Sequence, residues 1–427
     1  MSSSGGPARA QRAALLAIGD EVLRGEVANT NAVFLSERMF EAGLELREHL
    51  VVSDDPQEIR AALVRLRAEV DVIVATGGLG PTEDDRTVEV VAELLGVSTA
   101  ADEPSLDAMK KRFSTHGFEL TPNNLRQVRV PAGGQALANS AGIAPGFHIR
   151  LGGAEAYFLP GVPREMEKMY VDHVAPRLAR LMAEMGVPPP AVRTWHVYGM
   201  GESHIDHRLA GLLTGVEGAT LHFRTAVPEN HVKVVVRDAT LEAARATLEK
   251  IDAELRKRIG PGIYGTDNDS FTAAVAKSLK AQGATLAIAE SCTGGLAGEL
   301  ASSEAGASAF FRGAIVCYAD EIKVGVLGVK QETLTDFGAV SEPCAREMAE
   351  GAKKLCNSTL AVAITGVAGP EGGAPDKPVG TVCFAVCGPG STRTATKLFA
   401  GDRNRVRRAA AYFGLDLARR YFDTRKR

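Results

Sequence analysis

Short apolar runs that stop abruptly at glycine govern what this chain can fold into. Ala13–Ile18 ends at Gly19-Asp20-Glu21, and Val72–Ala75 ends at Thr76-Gly77-Gly78-Leu79-Gly80. Far down the chain the run after Thr285 ends at Glu290-Ser291, and the run from Leu360 to Ile364 ends at Thr365-Gly366. Continuous runs of this kind are strands buried on both faces. Between them lie segments of helical spacing. One is 30–42, with Val33, Phe34, Met39 and Phe40 apolar, Asn29 or Thr30 as cap and Gly43 as stop; another is opened by Asp55-Pro56 and runs to about Arg67. Strands alternating with helices predict parallel sheets covered on both faces. Much of the glycine, 45 of 427 residues, falls where these strands end.

Gly186-Val187-Pro188-Pro189-Pro190 is the clearest break. The block after it has another rhythm: strand 192–198, helix 203–213, strands 219–226 and 231–237 joined by a turn at Pro228-Glu229-Asn230, and helix 241–258. This predicts a compact α+β module. A second break at 259–269 returns the chain to helices at 271–281, from about 294, at 342–355 and at 403–421, with strands at 285–289, 314–318, 360–364 and 380–386. The fold class is therefore α/β, two three-layer α/β domains joined by a small α+β module. The expected boundaries are a flexible tail over 1–11, domains over 12–185 and 266–427, and the module over 190–262.

Charge and cysteine usage narrow the partners. A net charge of −3 gives no electrostatic footprint for nucleic acid or an anionic membrane. No apolar stretch is long enough to span a membrane, and Ala13–Ile18 is too short for the apolar region of a signal peptide, so a cytoplasmic location is expected. All nine His lie at or before His231 and all six Cys at or after Cys292. That split excludes a Ser-His-Asp triad built only from residues beyond 231. The cysteines form no CxxC pair and read as reduced, buried thiols, with Cys292 the one to test for reactivity.

In the C-terminal half, a buried strand delivers Glu290-Ser291 to a glycine turn that opens a helix. A Ser there can act as a nucleophile, and the free N–H groups of the turn can serve as an oxyanion hole. Read locally, Ser291 or Thr293 is more simply a helix cap. With no His available, the base for Ser291 would be a Lys. Lys323 is the candidate and Tyr318 its orienting group or proton relay, although a lone Lys more often lies solvated on a helix. In the N-terminal half, Thr76–Gly80 forms an anion-binding concavity. Asp84, Asp85 and, from the other strand end, Asp20 place carboxylates beside it. Such a pairing suits phosphate bridged by a divalent cation; the plainer reading is the acidic first turn of a helix.

The residues that carry this chemistry resemble a known family, CinA. Ala289-Glu-Ser-Cys-Thr-Gly-Gly295, Tyr318-x4-Lys323, Gly338-Ala-Val-Ser-Glu342, Ile364-Thr-Gly-Val-Ala-Gly-Pro370, Lys377-Pro-Val-Gly-Thr381 and Gly401-Asp-Arg403 resemble its C-terminal domain. Gly19-Asp-Glu-Val-Leu-x-Gly25, Asn29-Thr-Asn31, Thr76–Asp85, Gly142–Gly146 and Leu159–Met166 resemble its N-terminal domain, which has a MoaB/MogA-like, molybdopterin-binding fold. The resemblance implies deamidation of nicotinamide mononucleotide (NMN) to nicotinate mononucleotide and ammonia. Ser291 would be the nucleophile with Lys323 and Tyr318 assisting, and Thr293, Gly294, Thr365, Gly366 and Arg403 would contact substrate, without a cofactor. It also implies ADP-ribose hydrolysis to AMP and ribose 5-phosphate in the N-terminal domain. There Thr76, Gly77, Gly78 and Gly80 would cradle phosphate, and Asp84, Asp85 and Asp20 would hold a divalent metal ion of unspecified identity. The rival is a non-catalytic molybdopterin- or nucleotide-binding, competence-associated module. The resemblance further implies a homodimer and a KH-like middle module. Asp320 stands where the family pattern suggests Asn, placed to form an ion pair with Lys323 that opposes its use as a base. The middle block has 10 Lys and Arg against 9 Asp and Glu over 191–260 and an acid inside Gly215-Val-Glu-Gly218. It reads as a spacer and dimer element with no nucleic-acid partner. Its histidines, His196, His204, His207, His222 and His231, sit at no recognised metal spacing and read as packing or surface residues.

Overall fold

The structure is a computed structural model that describes residues 11–117 and 119–422. All but Gln11 of the tail expected over 1–11 lies outside the described residues. The strands are β1 (Arg12–Ile18), β2 (Glu45–Val52), β3 (Val72–Thr76), β4 (Thr99–Ala101), β5 (Arg129–Pro131), β6 (Gln135–Leu137), β7 (Gly146–Leu151), β8 (Ala154–Leu159), β9 (Ala191–Tyr198), β10 (Ala219–Ala226), β11 (Glu229–Val236), β12 (Ile263–Thr266), β13 (Leu286–Glu290), β14 (Phe311–Val316), β15 (Leu360–Gly366), β16 (Thr381–Gly388) and β17 (Ser391–Leu398). Three main sheets result, ordered β2-β1-β3-β8-β7-β6, β10-β11-β9-β12 and β14-β13-β15-β16-β17. The fold class is the one expected: two α/β domains and a small α+β module between them. Contacts group the chain into two compact units, one reaching Val192 and including Val235–Leu248, the other made of Arg193–Val234 and Glu249 onward.

The first sheet is buried on both faces. Leu16, Ile18, Ile73 and Phe158 pack on one side and Leu15, Val72, Val74 and Tyr157 on the other. Helices cover it, and their starts are written locally. Asn29 Oδ1 accepts from the Ala32 N–H at 3.0 Å, and Asp55, followed by Pro56, caps helix Pro56–Glu69 through Gln57 and Glu58. The third sheet has unequal faces. Ala287, Ala289, Ala361, Ala363 and Ala385 face helix Glu342–Leu355, while Ile288, Val362, Ile364 and Phe384 face helix Arg403–Arg419. Gly351 of the first helix also lets the end of helix Asp320–Leu327 approach closely: a Cβ there would lie 2.0 Å from the Leu327 carbonyl oxygen.

Both α/β sheets depart from all-parallel pairing. β1, β2, β3 and β8 are parallel, but β7 and β6 run antiparallel to their neighbours. β13, β14 and β15 are parallel, but β16 and β17 are antiparallel. For the β7–β8 and β16–β17 pairs the reason is connection length. Gly152-Gly153 and Pro389-Gly390 are hairpin turns, and a parallel return needs a crossover of a dozen or more residues. Boundaries moved where chemistry depends on them. β14 stops at Val316, so Tyr318 lies beyond the strand it was expected to end. The middle hairpin turns at Val227-Pro228, which leaves Glu229 and Asn230 inside β11.

Candidate active sites at two sheet switch points

In the first sheet β1 lies between β2 and β3, so the chain leaves it to one side and returns on the other. The crevice beyond the carboxyl ends of such strands is where open α/β sheets bind ligands. A cavity of about 650 Å³ opens there, lined by Gly19, Glu21, Asn31, Asp54, the turn from Thr76 to Pro81, and Asp84 and Asp85. Gly77 has φ +103°, and a Cβ on it would sit 2.0 Å from the Ile18 carbonyl oxygen, so a side chain cannot fit where the two strand ends converge. Thr87 folds the loop back: its hydroxyl donates to the Gly77 carbonyl at 3.1 Å and its N–H to the Gly78 carbonyl at 3.2 Å.

The carboxylates around this cavity sort into two kinds. Asp85 is held within its own turn, accepting from the Thr82 N–H at 2.9 Å and the Thr82 hydroxyl at 2.5 Å. The Asp20 side chain pairs with Arg24 and does not line the cavity. Glu21, Asp54 and Asp84 line the cavity along with Asp85, and a hydrogen bond from the Thr82 side chain holds the Asp84 carboxyl below the usual aspartate range. Burial pushes the Asp54 carboxyl up, and the nearby charges of Glu21, Asp20 and Asp84 push it further, against a hydrogen bond from the Asp20 N–H. Asn31 donates from Nδ2 to the Gly161 carbonyl at 2.7 Å, which leaves its buried Oδ1 without a hydrogen-bond partner.

In the third sheet β13 lies between β14 and β15, the same switch in topology. Ser291 follows β13, is 8% exposed, and donates its N–H to the Ile364 carbonyl at 2.9 Å. The helix that follows, Leu296–Ser302, was expected to offer its first N–H groups to a ligand. It does not. The fully buried Glu290 carboxylate takes the N–H groups of Gly295 (3.0 Å), Ala297 (3.0 Å) and Gly298 (2.7 Å). Glu290 thus locks the turn from inside, as a carboxylate favours a helix start.

Helices Asp320–Leu327 and Arg403–Arg419 bring cations to this end of the sheet. Lys323 is 1% exposed, so the solvated-helix reading fails; its ammonium donates to the Tyr318 carbonyl at 2.9 Å and to Asp320 Oδ1 at 3.1 Å. A buried charge needs such partners. Arg403 donates to the Tyr318 hydroxyl at 3.2 Å and to the Gly369 carbonyl at 2.7 Å, and Arg407 to the Thr293 carbonyl at 2.8 Å. Thr365 is buried, its hydroxyl donating to the Ala339 carbonyl at 2.8 Å, and Gly366 packs against the Thr381 carbonyl. The buried Thr293 hydroxyl has no partner, and Gly294 lies beside the Arg407 guanidinium. Cys292 is a poor nucleophile: burial pushes its thiol up to about 12.

The comparisons with known proteins agree along the chain. Residues 14–180 match the family described as "Probable molybdopterin binding domain", residues 192–265 the "Damage-inducible protein CinA KH domain", and residues 268–422 the "CinA C-terminal domain". A "CinA-like protein" of Anaeromyxobacter sp. (strain Fw109-5) is 42% identical over 407 residues, covering 95% of this chain and 98% of that protein. The chain belongs to the CinA family. A "Putative competence-damage inducible protein" of Symbiobacterium thermophilum is 40% identical over 421 residues, covering 96% of this chain and 98% of that protein. The crystal structure of the competence damage-inducible protein A (ComA) from Klebsiella pneumoniae is 40% identical, covering 36% of this chain and 95% of that chain, with a TM-score of 0.35.

Glu290, Arg407, Asp54 and Asn31 of this CinA protein were missed as site residues from sequence, and Glu21 was passed over for its neighbour Asp20. Glu290 looked like the end of a strand, and nothing local says that its carboxylate turns inward. Arg407 is one helical turn beyond Arg403, a spacing that could have flagged it. Asp54 was overshadowed by the cap Asp55, and Asn31 by the cap Asn29. The fit of a divalent metal changes accordingly. Among the described residues, Asp20, Asp84 and Asp85 do not bring three ligand atoms within 4.8 Å of one another, because Asp20 and Asp85 are engaged elsewhere. The oxygens that face the cavity belong to Glu21, Asp54, Asp84 and the unpartnered Asn31 Oδ1. Glu21, Asp54 and Asp84 do not bring three ligand atoms within 4.8 Å of one another either, but an all-oxygen set with a carboxylate pushed up by burial and by its acidic neighbours is the donor chemistry a hard divalent cation takes.

Proposed function

We propose that this CinA protein hydrolyses pyridine nucleotides, deamidating NMN in its C-terminal domain. One observation carries this reading: a contact network joins the buried ammonium of Lys323, Tyr318 and Arg403 on one side of the switch point, while the Ser291 turn is held by Glu290 and Arg407. In this reading Ser291 Oγ attacks the carboxamide carbon of NMN, and its proton passes to Lys323, directly or through the Tyr318 hydroxyl. The developing oxyanion falls to the N–H groups of Cys292 and Thr293. The other amides of that turn are committed, that of Ser291 to Ile364, that of Gly294 to Ser291 and that of Gly295 to Glu290. The returned proton lets ammonia leave, and water cleaves the acyl-serine to nicotinate mononucleotide. Arg403, with Thr365 and Gly366, would receive the phosphate. Asp320 works against the base, since it stabilises Lys323 as the ammonium.

For the N-terminal domain we propose ADP-ribose hydrolysis to AMP and ribose 5-phosphate. The amides from Gly78 to Gly80 would cradle the pyrophosphate beside Thr76, the Gly77 N–H being spent on the Leu159 carbonyl at 3.0 Å. Glu21, Asp54 and Asp84 would hold the divalent cation, which when bound supplies charge neutralisation for phosphate oxygens. The second reading, a nucleotide- or molybdopterin-binding domain without turnover, is favoured by the separation of these carboxylates. A product assay of the full-length protein with NMN, and with ADP-ribose across a panel of divalent cations, tests both. Absence of ammonia release overturns the deamidase; absence of AMP with every cation leaves the N-terminal domain as a binding module.

A further inference from the structure

The middle module holds a cluster that neither proposed site uses. β9 and β11 are neighbours in its sheet. Glu229 and His231, two residues apart on β11, share a face, and His196 comes from β9. Ligand atoms of these three residues all lie within 4.8 Å of one another, a convergence found at no other group among the described residues.

The hydrogen bonding is that of a ligand set. His196 is 8% exposed, and its Nε2 meets the Asp267 carbonyl oxygen at 2.8 Å. A carbonyl only accepts, so Nε2 carries a proton, and in the neutral ring Nδ1 keeps a lone pair. That Nδ1 is buried and has no hydrogen-bond partner. His231 packs edge-to-face on His196, ring centroids 4.4 Å apart, with its Nε2 3.5 Å from Glu229 Oε2. The Tyr264 hydroxyl donates to Glu229 Oε2 at 2.5 Å.

We propose that His196 Nδ1, a ring nitrogen of His231 and the Glu229 carboxylate bind one divalent cation of the zinc class. Two imidazoles and a carboxylate suit zinc or a neighbouring first-row ion with one position left for water, whereas magnesium and calcium prefer oxygen alone. The outer contacts match as well. A ligating His donates its other N–H to a carbonyl, as His196 does to Asp267, and a ligating carboxylate is itself hydrogen-bonded, as Glu229 is by Tyr264. The ion clips β9 to β11 beside the segment that leads from β12 into the C-terminal domain.

The test is a Co²⁺ titration of the chelator-stripped full-length protein, read in the visible. Four- or five-coordinate Co²⁺ absorbs strongly there, and six-coordinate oxygen-bound Co²⁺ weakly. The expected result is one strongly absorbing equivalent, displaced by Zn²⁺, without thiolate charge transfer. The band disappears in His196→Ala and in His231→Gln, and binding weakens about tenfold in Tyr264→Phe. No strong band in the wild type, or an undiminished band in His231→Gln, overturns the proposal. Where His196→Ala fails to fold, His231→Gln decides alone. Zn²⁺ raises the thermal midpoint of the wild type and not of that variant, and an equal rise in both overturns the site.

Discussion

The two switch points are built on the same topology and have opposite surroundings. In each, a central strand sends the chain first to one neighbour and then to the other, and a glycine turn follows. At the N-terminal one the turn is open to a cavity ringed by Glu21, Asp54 and Asp84. At the C-terminal one Glu290 plugs the turn from below, Arg407 reaches its Thr293 carbonyl, and Lys323 and Arg403 meet at Tyr318. Strand order thus fixes where a ligand sits, and the side chains at the strand ends decide what charge it meets. The largest test of this separation is Ser291→Ala. Ammonia release from NMN should fall on the order of 10³-fold or more, while any turnover of ADP-ribose stays unchanged. Parallel loss of both activities would break the picture of two independent sites.

The turns also differ in how tightly they are packed. Gly77→Ala places a Cβ against the Ile18 carbonyl at a φ of +103°. It should destabilise the N-terminal domain by about 3 kcal/mol or more, in the range reserved for overpacking and backbone strain. Gly294→Ala, whose Cβ meets only the Arg407 guanidinium at 3.5 Å and whose φ is +60°, should cost about 1–2 kcal/mol. Denaturant melts of the full-length variants compare the two. Equal losses would mean that the turns are equally constrained. Glu290→Gln falls between them. It replaces a carboxylate that accepts three backbone N–H groups with an amide that presents donors to some of them, at a cost of about 1.5–3 kcal/mol.

The difference between the two sites was only half legible in the sequence. Strand runs that end in glycine place both turns, and Ser291, Lys323, Tyr318 and Arg403 stand out because few residue types can do their chemistry. Packing direction is what a linear reading lacks. Nothing around Glu290 says that its carboxylate folds under the following helix, and nothing around Asp85 says that Thr82 claims it. Asp54 joins the N-terminal cavity only because β2 pairs with β1 in a register that brings Val52 beside Ile18. His196 and His231 read as packing or surface residues for the same reason, and Glu229 as part of a turn. Metal spacings are counted along one element, and these residues meet across a strand pair. The antiparallel edges β16–β17 and β6–β7 were hidden because an apolar run does not record its direction.

A smaller effect tests the electrostatic half of the comparison. Asp320 is half exposed and pairs with the buried Lys323 at 3.1 Å. If Lys323 must give up its proton to serve Ser291, then Asp320→Asn should raise the rate of NMN deamidation near neutral pH a few-fold, by removing an anion that favours the ammonium. A fall in rate would instead assign Lys323 to work as the ammonium, stabilising negative charge at the reacting centre.

The smallest effect lies at the acidic site and comes from pH. The Asp54 carboxyl is pushed up by burial and by its acidic neighbours. Between the ordinary aspartate range and that raised value, the folded protein therefore binds more protons at this group than the unfolded chain does. Stability then falls as pH rises through this window, and the penalty is present in full at neutral pH. Asp54→Asn removes the penalty and can keep the acceptor for the Asp20 N–H. The variant should melt slightly higher than the wild type near pH 7, and the gap should close below the ordinary aspartate range. A divalent cation reverses the order: Mg²⁺ or Mn²⁺ should raise the wild-type midpoint more than that of Asp54→Asn, because the carboxylates that repel one another are the ones that would share the ion. A variant that melts lower at pH 7 would show that the Asp20 contact outweighs the repulsion. An equal cation response in both proteins would remove Asp54 from the proposed metal set.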